Sequence, residues 1–406
     1  MSSVHSYIKI FLFAFVCRLL PKYFLVKLLL FITTIENNGK DKTLLVLNRP
    51  FFDLDIEQLR KNKKFNFLTI NLIFIGYIQK FYLPKKFQVQ TNYQKVQQSD
   101  LRHYKFLQGI FEEYLNILGK KFNIVCAVSP HIDYWQPEIL RSVCQNKNIS
   151  FVAICRENPV FDFQKNKVFK YYNKKQFKFQ GDLVFVFHQK VKNIFQKAKV
   201  FNSSKIIVSG APRLEAYKKI KKKKLKFIAL FDFSIGYFAD NAFIMILKYF
   251  SKNKNIINKN NLTILIKCKK KENVFFVQNL IRKYDLHSDI FKITYKEKMK
   301  NILEQTKFAI NYNSLSIADC ILSHTPLILL NCKNHSQKNN SKILFKKNYI
   351  RKFKRHKKII KFVKYDKDFE KNFEKISNRL LNLRNTQINF KNTNRDILKE
   401  IFSFDE

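Results

Sequence analysis

The sequence has little glycine and proline and few acidic residues. Its 406 residues include 7 glycines, 8 prolines and 30 Asp and Glu, against 77 Lys and Arg, for a formal net charge of +47. No GxxxxGK[ST], GxGxxG, GxSxG or HExxH motif occurs. These absences argue against a P-loop NTPase, a dinucleotide dehydrogenase, an α/β-hydrolase and a zincin. Because abundant Lys, Asn, Ile and Phe are typical of an A- and T-rich genome, we give the charge little functional weight.

Cysteine pairs are also missing. The 7 cysteines form an odd set without a CxxC spacing, and most lie in apolar runs. This pattern predicts free thiols in a reducing compartment and no zinc site, and we expect neither a metal nor a cofactor. Hydrophobic residues make up 46% of the chain, enough for sizeable cores, and its length predicts two domains of ~150 residues or more.

No uninterrupted hydrophobic run is long enough to cross a bilayer. Residues 8–35 are strongly apolar, but four cations interrupt them: Lys9, Arg18, Lys22 and Lys27. No small-residue cleavage site of a secretory signal follows. We predict that residues 1–40 are an apolar, cationic leader whose helices lie in a membrane interface and bury side chains such as Phe24 and Leu29. A helical leader packed in the protein core is the alternative.

From Thr43 onward, short apolar runs alternate with segments of helical spacing, which is typical of βα units and a parallel sheet. The charged run at 218–226 indicates a domain junction, after which the alternation starts again. We therefore predict an N-terminal Rossmann-like acceptor domain at 41–220 and a C-terminal Rossmann-like nucleotide-binding domain at 221–385. Residues 331–361 are expected to form a basic loop or insertion, and 386–406 a C-terminal tail.

The most informative segment is 313–328, NSLSIADCILSHTPLI. A predicted strand ends there, hydroxyl groups open a helix, a carboxylate follows, and Pro326 precedes the next strand. The first backbone N–H groups of a helix attract phosphate, and a carboxylate one turn later suits ribose hydroxyls. Ser314, Ser316 and Asp319 are therefore candidate nucleotide-binding residues.

This segment resembles the nucleotide-binding end of GT-B glycosyltransferases, where Ser-Ser, Glu-Ala and Gly-Lys-Pro recur. Asp319 stands at the Glu position, whereas His324 and Thr325 replace Gly-Lys. A second segment, 210–215 (GAPRLE), resembles the Gly-x-Pro-Arg-x-Asp element of CDP-glycerol glycerophosphotransferase-like and surface-carbohydrate biosynthesis proteins. Gly210 suits a tight turn, and Arg213 suits a bidentate phosphate contact; a surface Arg on an ordinary turn is the alternative.

A third segment, 262–270 (LTILIKCKK), is similar to the strand that ends Lys-Pro-His-Pro in the same group. Lys267 matches the first Lys of that element, and Lys269 replaces its His. The resemblance implies that both lysines contact phosphate. Lys269 supplies charge there but is not a neutral proton acceptor at its ordinary pKa.

Three residues of the N-terminal half are candidate general bases. His131 and Asp133 follow a predicted strand in SPHIDYW, and Glu157 follows the next one in a pair that resembles the family's Lys/Arg-Glu. An imidazole or a carboxylate at the carboxyl end of a parallel sheet suits removal of a proton from an acceptor hydroxyl. A helix cap at Asp133 beside a solvated His131 remains open. We explain the Asp-x-Asp at 53–55 by helix capping through Asp53.

The resemblance implies an α/β protein with two Rossmann-like domains facing a cleft. It further implies metal-independent transfer of a sugar or glycerol phosphate from an activated nucleotide to a cell-surface glycan or lipid-linked acceptor. The expected location is cytoplasmic and peripheral on the inner face of the cell membrane, with no nucleic-acid partner. The alternatives are a noncatalytic relative that binds membranes or polyanions, and a nucleic-acid-binding protein, for which no recognition module is apparent.

Overall fold

The chain divides into two compact units in a computed structural model. Unit 1 extends to Arg213 and unit 2 begins at Leu214, so the predicted boundary after residue 220 falls inside unit 2. The structure describes residues 19–49, 52–61, 63–80, 82–85, 88, 101–155, 165–175, 177–202, 205–210, 212–218, 220–231, 240–268, 271–312, 316–331, 360–364 and 368–381.

Unit 1 alternates helices with strands. Its elements are α1 Lys22–Ile32, β1 Thr34–Glu36, β2 Thr43–Asn48, α2 Asp53–Arg60, β3 Asn66–Asn71, α3 Leu72–Lys80, α4 Leu101–Gly119, β4 Ile124–Ser129, α5 Glu138–Asn146, β5 Ser150–Ile154, α6 Lys165–Lys175, β6 Leu183–Val186, α7 Gln189–Lys197 and β7 Ile206–Val208. A short 3-10 turn, Pro212–Leu214, follows β7.

The seven strands form one sheet in the order β1-β3-β2-β4-β5-β6-β7. All neighbouring strands are parallel except β1, which is antiparallel to β3. The chain first moves outward from β2 to β3, then returns to place β4 on the other side of β2. The strand order therefore reverses between β2 and β4, and ligands of open parallel sheets bind beyond the carboxyl ends of strands at such a switch point.

Alternating residues of the central strands are buried on opposite faces of the sheet. Leu45 and Leu47 belong to one apolar cluster, whereas Val46 packs with Phe52 and Ile56 in another. Successive side chains of a strand point to opposite faces, so both faces of this sheet are covered. This double burial explains why the strands are nearly continuous apolar runs.

The predicted leader is partly wrong. Leu25, Val26 and Leu29 of α1 are buried in the core of unit 1. The membrane burial predicted for Leu29 is therefore incorrect, because this side chain packs against the protein. Residues 1–18 lie outside the described residues. No helix among those that the structure describes is long and apolar enough to cross a membrane.

Unit 2 is a second α/β unit. Its elements are α8 Glu215–Lys218, β8 Phe227–Phe231, α9 Asp240–Lys252, α10 Lys254–Lys259, β9 Thr263–Lys267, α11 Lys271–Lys283, a 3-10 turn Ser288–Ile290, β10 Phe291–Thr294, α12 Met299–Glu304, β11 Thr306–Tyr312, α13 Ser316–Leu322, β12 Leu327–Asn331, β13 Ile360–Lys364 and α14 Phe369–Leu381.

The six strands of unit 2 are all parallel and lie in the order β10-β9-β8-β11-β12-β13. Counted along unit 2, this is 3-2-1-4-5-6, the strand order of the Rossmann fold, with its switch point between β8 and β11. The α/β class with two Rossmann-like domains is thus confirmed. Asn331 and residues 360–361, which the prediction placed in a basic loop, belong to β12 and β13.

Candidate functional site

Two of the predicted base candidates, His131 and Asp133, lie at the switch point of unit 1. β2 ends at Asn48 and β4 at Ser129, and both strands are parallel neighbours. The buried Ser129 hydroxyl donates to the backbone carbonyl of His131 at 2.8 Å, which fixes the turn immediately after β4. His131 and Asp133 are therefore held at the carboxyl edge of the sheet.

His131 and Asp133 form a close pair. Nδ1 of the buried His131 contacts Oδ1 of Asp133 and also lies 3.3 Å from the Asp133 amide nitrogen. The carboxylate contact is the shorter of the two, which favours an Nδ1–H that donates to Asp133. A carboxylate on Nδ1 orients the ring and leaves Nε2 as the proton acceptor, as in other His-acid pairs.

An aromatic ring and a cation lie beside this pair. The rings of His131 and Tyr134 have centroids 5.3 Å apart, and the guanidinium carbon of Arg49 lies 4.4 Å from the Tyr134 ring centroid. Arg49 follows β2 and Tyr134 follows β4, so their contact joins the two strands of the switch point. Tyr134 thus contacts both the His131 ring and the Arg49 guanidinium.

The next two strands end in buried titratable groups. Burial, together with the nearby Asp133 carboxylate, raises the pKa of the Cys155 thiol, which follows β5. The fully buried His188 follows β6 and precedes α7, with its ring 5.7 Å from that of Phe187. Cys155 is therefore a protonated thiol at neutral pH, which suits it to packing and not to nucleophilic chemistry.

The segment after β7 is tied to the segment after β2. Gly210 has φ +74°, a left-handed conformation that favours glycine. The backbone N–H of Arg213 donates at 3.0 Å to Oδ1 of Asp55, a fully buried residue of α2. The capping role predicted for Asp53 is wrong, because Asp53 is the first residue of α2 and accepts a 2.9 Å bond from the Asn48 amide.

Two nitrogens of the buried Arg213 guanidinium have no hydrogen-bond acceptor among the residues that the structure describes. The residue is 3% exposed, and its Nε and Nη2 atoms are buried with no hydrogen-bond acceptor. A buried cation is costly unless it is paired and hydrogen-bonded. The alternative of a surface Arg on an ordinary turn is wrong, because the side chain is buried.

In unit 2, two of the nucleotide-site candidates follow the switch strand β11. The side-chain amide of the buried Asn311 donates at 2.7 Å to Oγ of Ser316, which fixes the start of α13 on β11. Asp319 is also buried, and its carboxylate contributes to a raised pKa of the Cys320 thiol after the larger effect of burial. Ser314 lies outside the described residues.

Of the remaining candidates, the structure describes Lys267. Lys267 ends β9, and its ammonium donates to the carbonyls of Tyr295 and, at 3.3 Å, Cys268, which ties β9 to the segment after β10. Lys269 and Glu157 lie outside the described residues. Among the residues that the structure describes, no group of three or more His, Cys, Asp or Glu side chains is suited to hold a metal ion.

Lys222 holds the turn that contains His324 through hydrogen bonds of its ammonium group. The Lys222 ammonium donates to the Leu303 carbonyl at 2.8 Å and to the Thr325 hydroxyl at 2.6 Å, and that hydroxyl lies 2.8 Å from Oγ of Ser323. Burial lowers the pKa of Lys222 to about 8. Burial and the Lys222 charge lower the pKa of His324, whose φ is +54°. This cluster positions the turn between α13 and β12.

Sequence reasoning missed four residues of the unit 1 site: Arg49, Asp55, Tyr134 and His188. Arg49 and His188 follow β2 and β6 within two residues, Asp55 lies in the first turn of α2, and Tyr134 lies between β4 and α5. A search for polar and aromatic residues after every predicted strand would have found Arg49, Tyr134 and His188. The role of Asp55 depends on a contact 158 residues away in sequence, for which no local signal exists.

Comparison with known proteins gives only distant structural matches. No family model matches the chain, and no curated protein matches it. Solved structures similar to it include UDP-N-acetylglucosamine 2-epimerases from Methanocaldococcus jannaschii (13% identity, 87% of this chain and 95% of that one, TM-score 0.47) and Neisseria meningitidis (13%, 88% and 99%, 0.45). Another is Anabaena HepE in complex with UDP-glucose (10%, 72% and 80%, 0.39). Matches at this level assign no activity to the chain.

Proposed function

We propose that this protein is an enzyme that transfers a sugar or glycerol-phosphate unit from a nucleotide-activated donor to a hydroxyl group of a glycan or lipid-linked acceptor. Unit 2 holds the nucleotide and unit 1 holds the acceptor. One observation carries the proposal: in each unit, candidate side chains follow a strand at which the strand order reverses. His131 and Asp133 follow β4, and Ser316 and Asp319 follow β11.

The His131 pair is assigned the role of general base. Nε2 of His131 removes the proton of the acceptor hydroxyl while the oxygen attacks, and Asp133 stabilises the imidazolium that forms. For a sugar donor, the new bond joins the acceptor oxygen to the anomeric carbon. The bond from that carbon to the phosphate oxygen breaks, and the nucleoside diphosphate leaves with the electron pair.

For a glycerol-phosphate donor, the acceptor oxygen attacks phosphorus and a nucleoside monophosphate leaves. Both reactions place negative charge on phosphate oxygens. Arg213 supplies a buried cation with two unpaired donors for such an oxygen, and Asp55 fixes its backbone. Charge-assisted bonds from a planar guanidinium to phosphate are strong and directional. The similarity of 210–215 to the Gly-x-Pro-Arg-x-Asp element supports the same role.

The direct test is turnover of a donor panel by wild type and by His131→Ala. Purified protein is incubated with UDP-sugars, GDP-sugars and CDP-glycerol plus glycan or polyprenyl-phosphate-linked acceptors, and mass spectrometry follows nucleotide release and product mass. We expect the variant to lose roughly 10²- to 10⁴-fold in turnover with nucleotide affinity unchanged. His103→Ala, at an exposed position of α4, is the matched control.

Two results decide against the proposal. Turnover by His131→Ala equal to that of wild type removes the base assignment. Nucleotide binding by wild type without transfer to any acceptor supports a noncatalytic binding protein.

A further inference from the structure

The outer face of α1 exposes aromatic side chains that the fold does not use. Phe31 is 87% exposed, Tyr23 54% and Phe24 51%. Phe24, Lys27 and Phe31 follow one another at spacings of three and four residues, so they lie along one side of the helix. We call Tyr23, Phe24, Lys27 and Phe31 the outer stripe. Leaving such rings in water is unfavourable, and a stripe of this kind indicates an interaction surface.

The opposite side of α1 holds the stripe in place. Leu25, Val26 and Leu29 are buried in the core of unit 1, and the Lys22 ammonium lies 3.1 Å from a carboxylate oxygen of Glu113 on α4. The helix thus has apolar side chains on two sides, one packed against the core and one exposed. Substitutions on the outer stripe therefore remove no core contact.

The charges beside the stripe favour an anionic partner. The Lys27 ammonium lies 4.4 Å from the Tyr23 ring centroid, and α1 contains no acidic residue. Exposed rings beside lysines suit the boundary between headgroups and acyl chains, where the rings enter the apolar layer and the ammonium groups reach phosphate. Residues 10–17, just N-terminal to this face, form a charge-free apolar stretch of the same character.

From these observations we infer that the outer stripe of α1 docks unit 1 onto a bilayer that carries anionic headgroups. This inference is independent of the proposed catalytic activity. It also differs from the interfacial leader predicted from the sequence, in which Leu29 faces lipid, because here only the side of α1 that faces away from the core enters the membrane.

Vesicle flotation of the full-length protein tests the inference. Neutral vesicles of phosphatidylcholine are compared with vesicles in which about one lipid in three is phosphatidylglycerol, which makes the surface charge negative. We expect wild type to bind the anionic vesicles and the double variant Phe24→Ser/Phe31→Ser to bind at least about tenfold more weakly. Phe275→Ser, at a 55% exposed position of α11 in unit 2, should bind as wild type does.

Charge is tested separately with Lys27→Glu. We expect it to weaken binding to anionic vesicles by about fivefold or more and to leave binding to neutral vesicles unchanged. An equal effect on both vesicles would overturn the anionic preference.

Three results would overturn the inference as a whole. One is unchanged binding by the double variant. The second is loss of binding only when Phe11 and Phe13, outside the described residues, are changed to Ser. The third is a change of oligomeric state in the double variant, measured by light scattering, without any change in flotation, which would assign the stripe to a second copy of this chain.

Discussion

Replacing Arg213 by Met should stabilise the ligand-free protein. Arg213 is 3% exposed and buries two guanidinium nitrogens without an acceptor. Each unsatisfied buried donor costs about 1–3 kcal/mol, whereas Met fills a similar volume without a polar atom. We expect Arg213→Met to raise the free energy of unfolding of unit 1 by about 2 kcal/mol, which raises Tm by roughly 4–8 °C.

Arg141 provides the matched control in the same unit. It is also buried, but its Nε donates to Glu138 at 3.1 Å, Nη1 to Gln145 at 2.6 Å and Nη2 to Gln180 at 2.6 Å. Arg141→Met breaks these bonds and leaves the buried Glu138 unpaired. The same substitution should therefore destabilise the protein here, by about 3–5 kcal/mol. Urea unfolding measures both variants.

The same two variants also test whether Arg213 binds an anion. Phosphate or pyrophosphate should stabilise wild type and Arg141→Met but not Arg213→Met, since Nε and Nη2 of Arg213 have no acceptor among the described residues whereas Arg141 is hydrogen-bonded. A destabilised Arg213→Met, together with a wild type that is insensitive to both anions, would refute the reasoning. That outcome would mean that the guanidinium is satisfied within the folded chain.

Changes at three further residues test local structure by urea unfolding. Asp55→Ala should cost about 2 kcal/mol and weaken the anion effect, because the Arg213 amide loses its acceptor; Asp55→Asn, which keeps a carbonyl acceptor, should cost less. Burial lowers the pKa of Lys222 from 10.5 to about 8, so the unfolded chain binds more protons than the folded one between these pH values; stability should rise from pH 8 to 10.5, and Lys222→Met should flatten that rise. Gly210→Ala should cost about 1–2 kcal/mol, because its φ is +74°.

The interior strands could be predicted from the sequence because they are buried on both faces. The apolar runs at 44–47, 123–128, 227–231 and 308–312 predict strands. The third coincides with β8, and the others agree with β2, β4 and β11 within two residues at each end. The strands that were missed have weaker apolar runs. β1 has three residues, β3 begins and ends with Asn, and β13 (IKFVK) contains two lysines among its five residues and lies at the sheet edge.

The candidate site was predictable only where its residues are close in sequence. His131 and Asp133 are two residues apart and follow one strand, so their proximity is a local property. The contact of Arg49 with Tyr134 depends on β2 and β4 being neighbours, which only the strand order of the folded unit shows. The Asp55 and Arg213 bond likewise joins distant segments. The local sequence also does not predict that Arg213 is buried, which is what distinguishes it from a surface Arg.

Nucleotide binding by unit 2 is the central claim, and a thermal unfolding screen with CDP, UDP, GDP and CMP measures it most directly. We expect one nucleotide to stabilise wild type, by about 2.7 kcal/mol at a hundredfold excess over Kd. Asp319→Ala should lose this effect, and Asp289→Asn, at an exposed carboxylate of the same unit, should keep it. No response of wild type to any nucleotide, or an equal response of Asp319→Ala, would contradict the account.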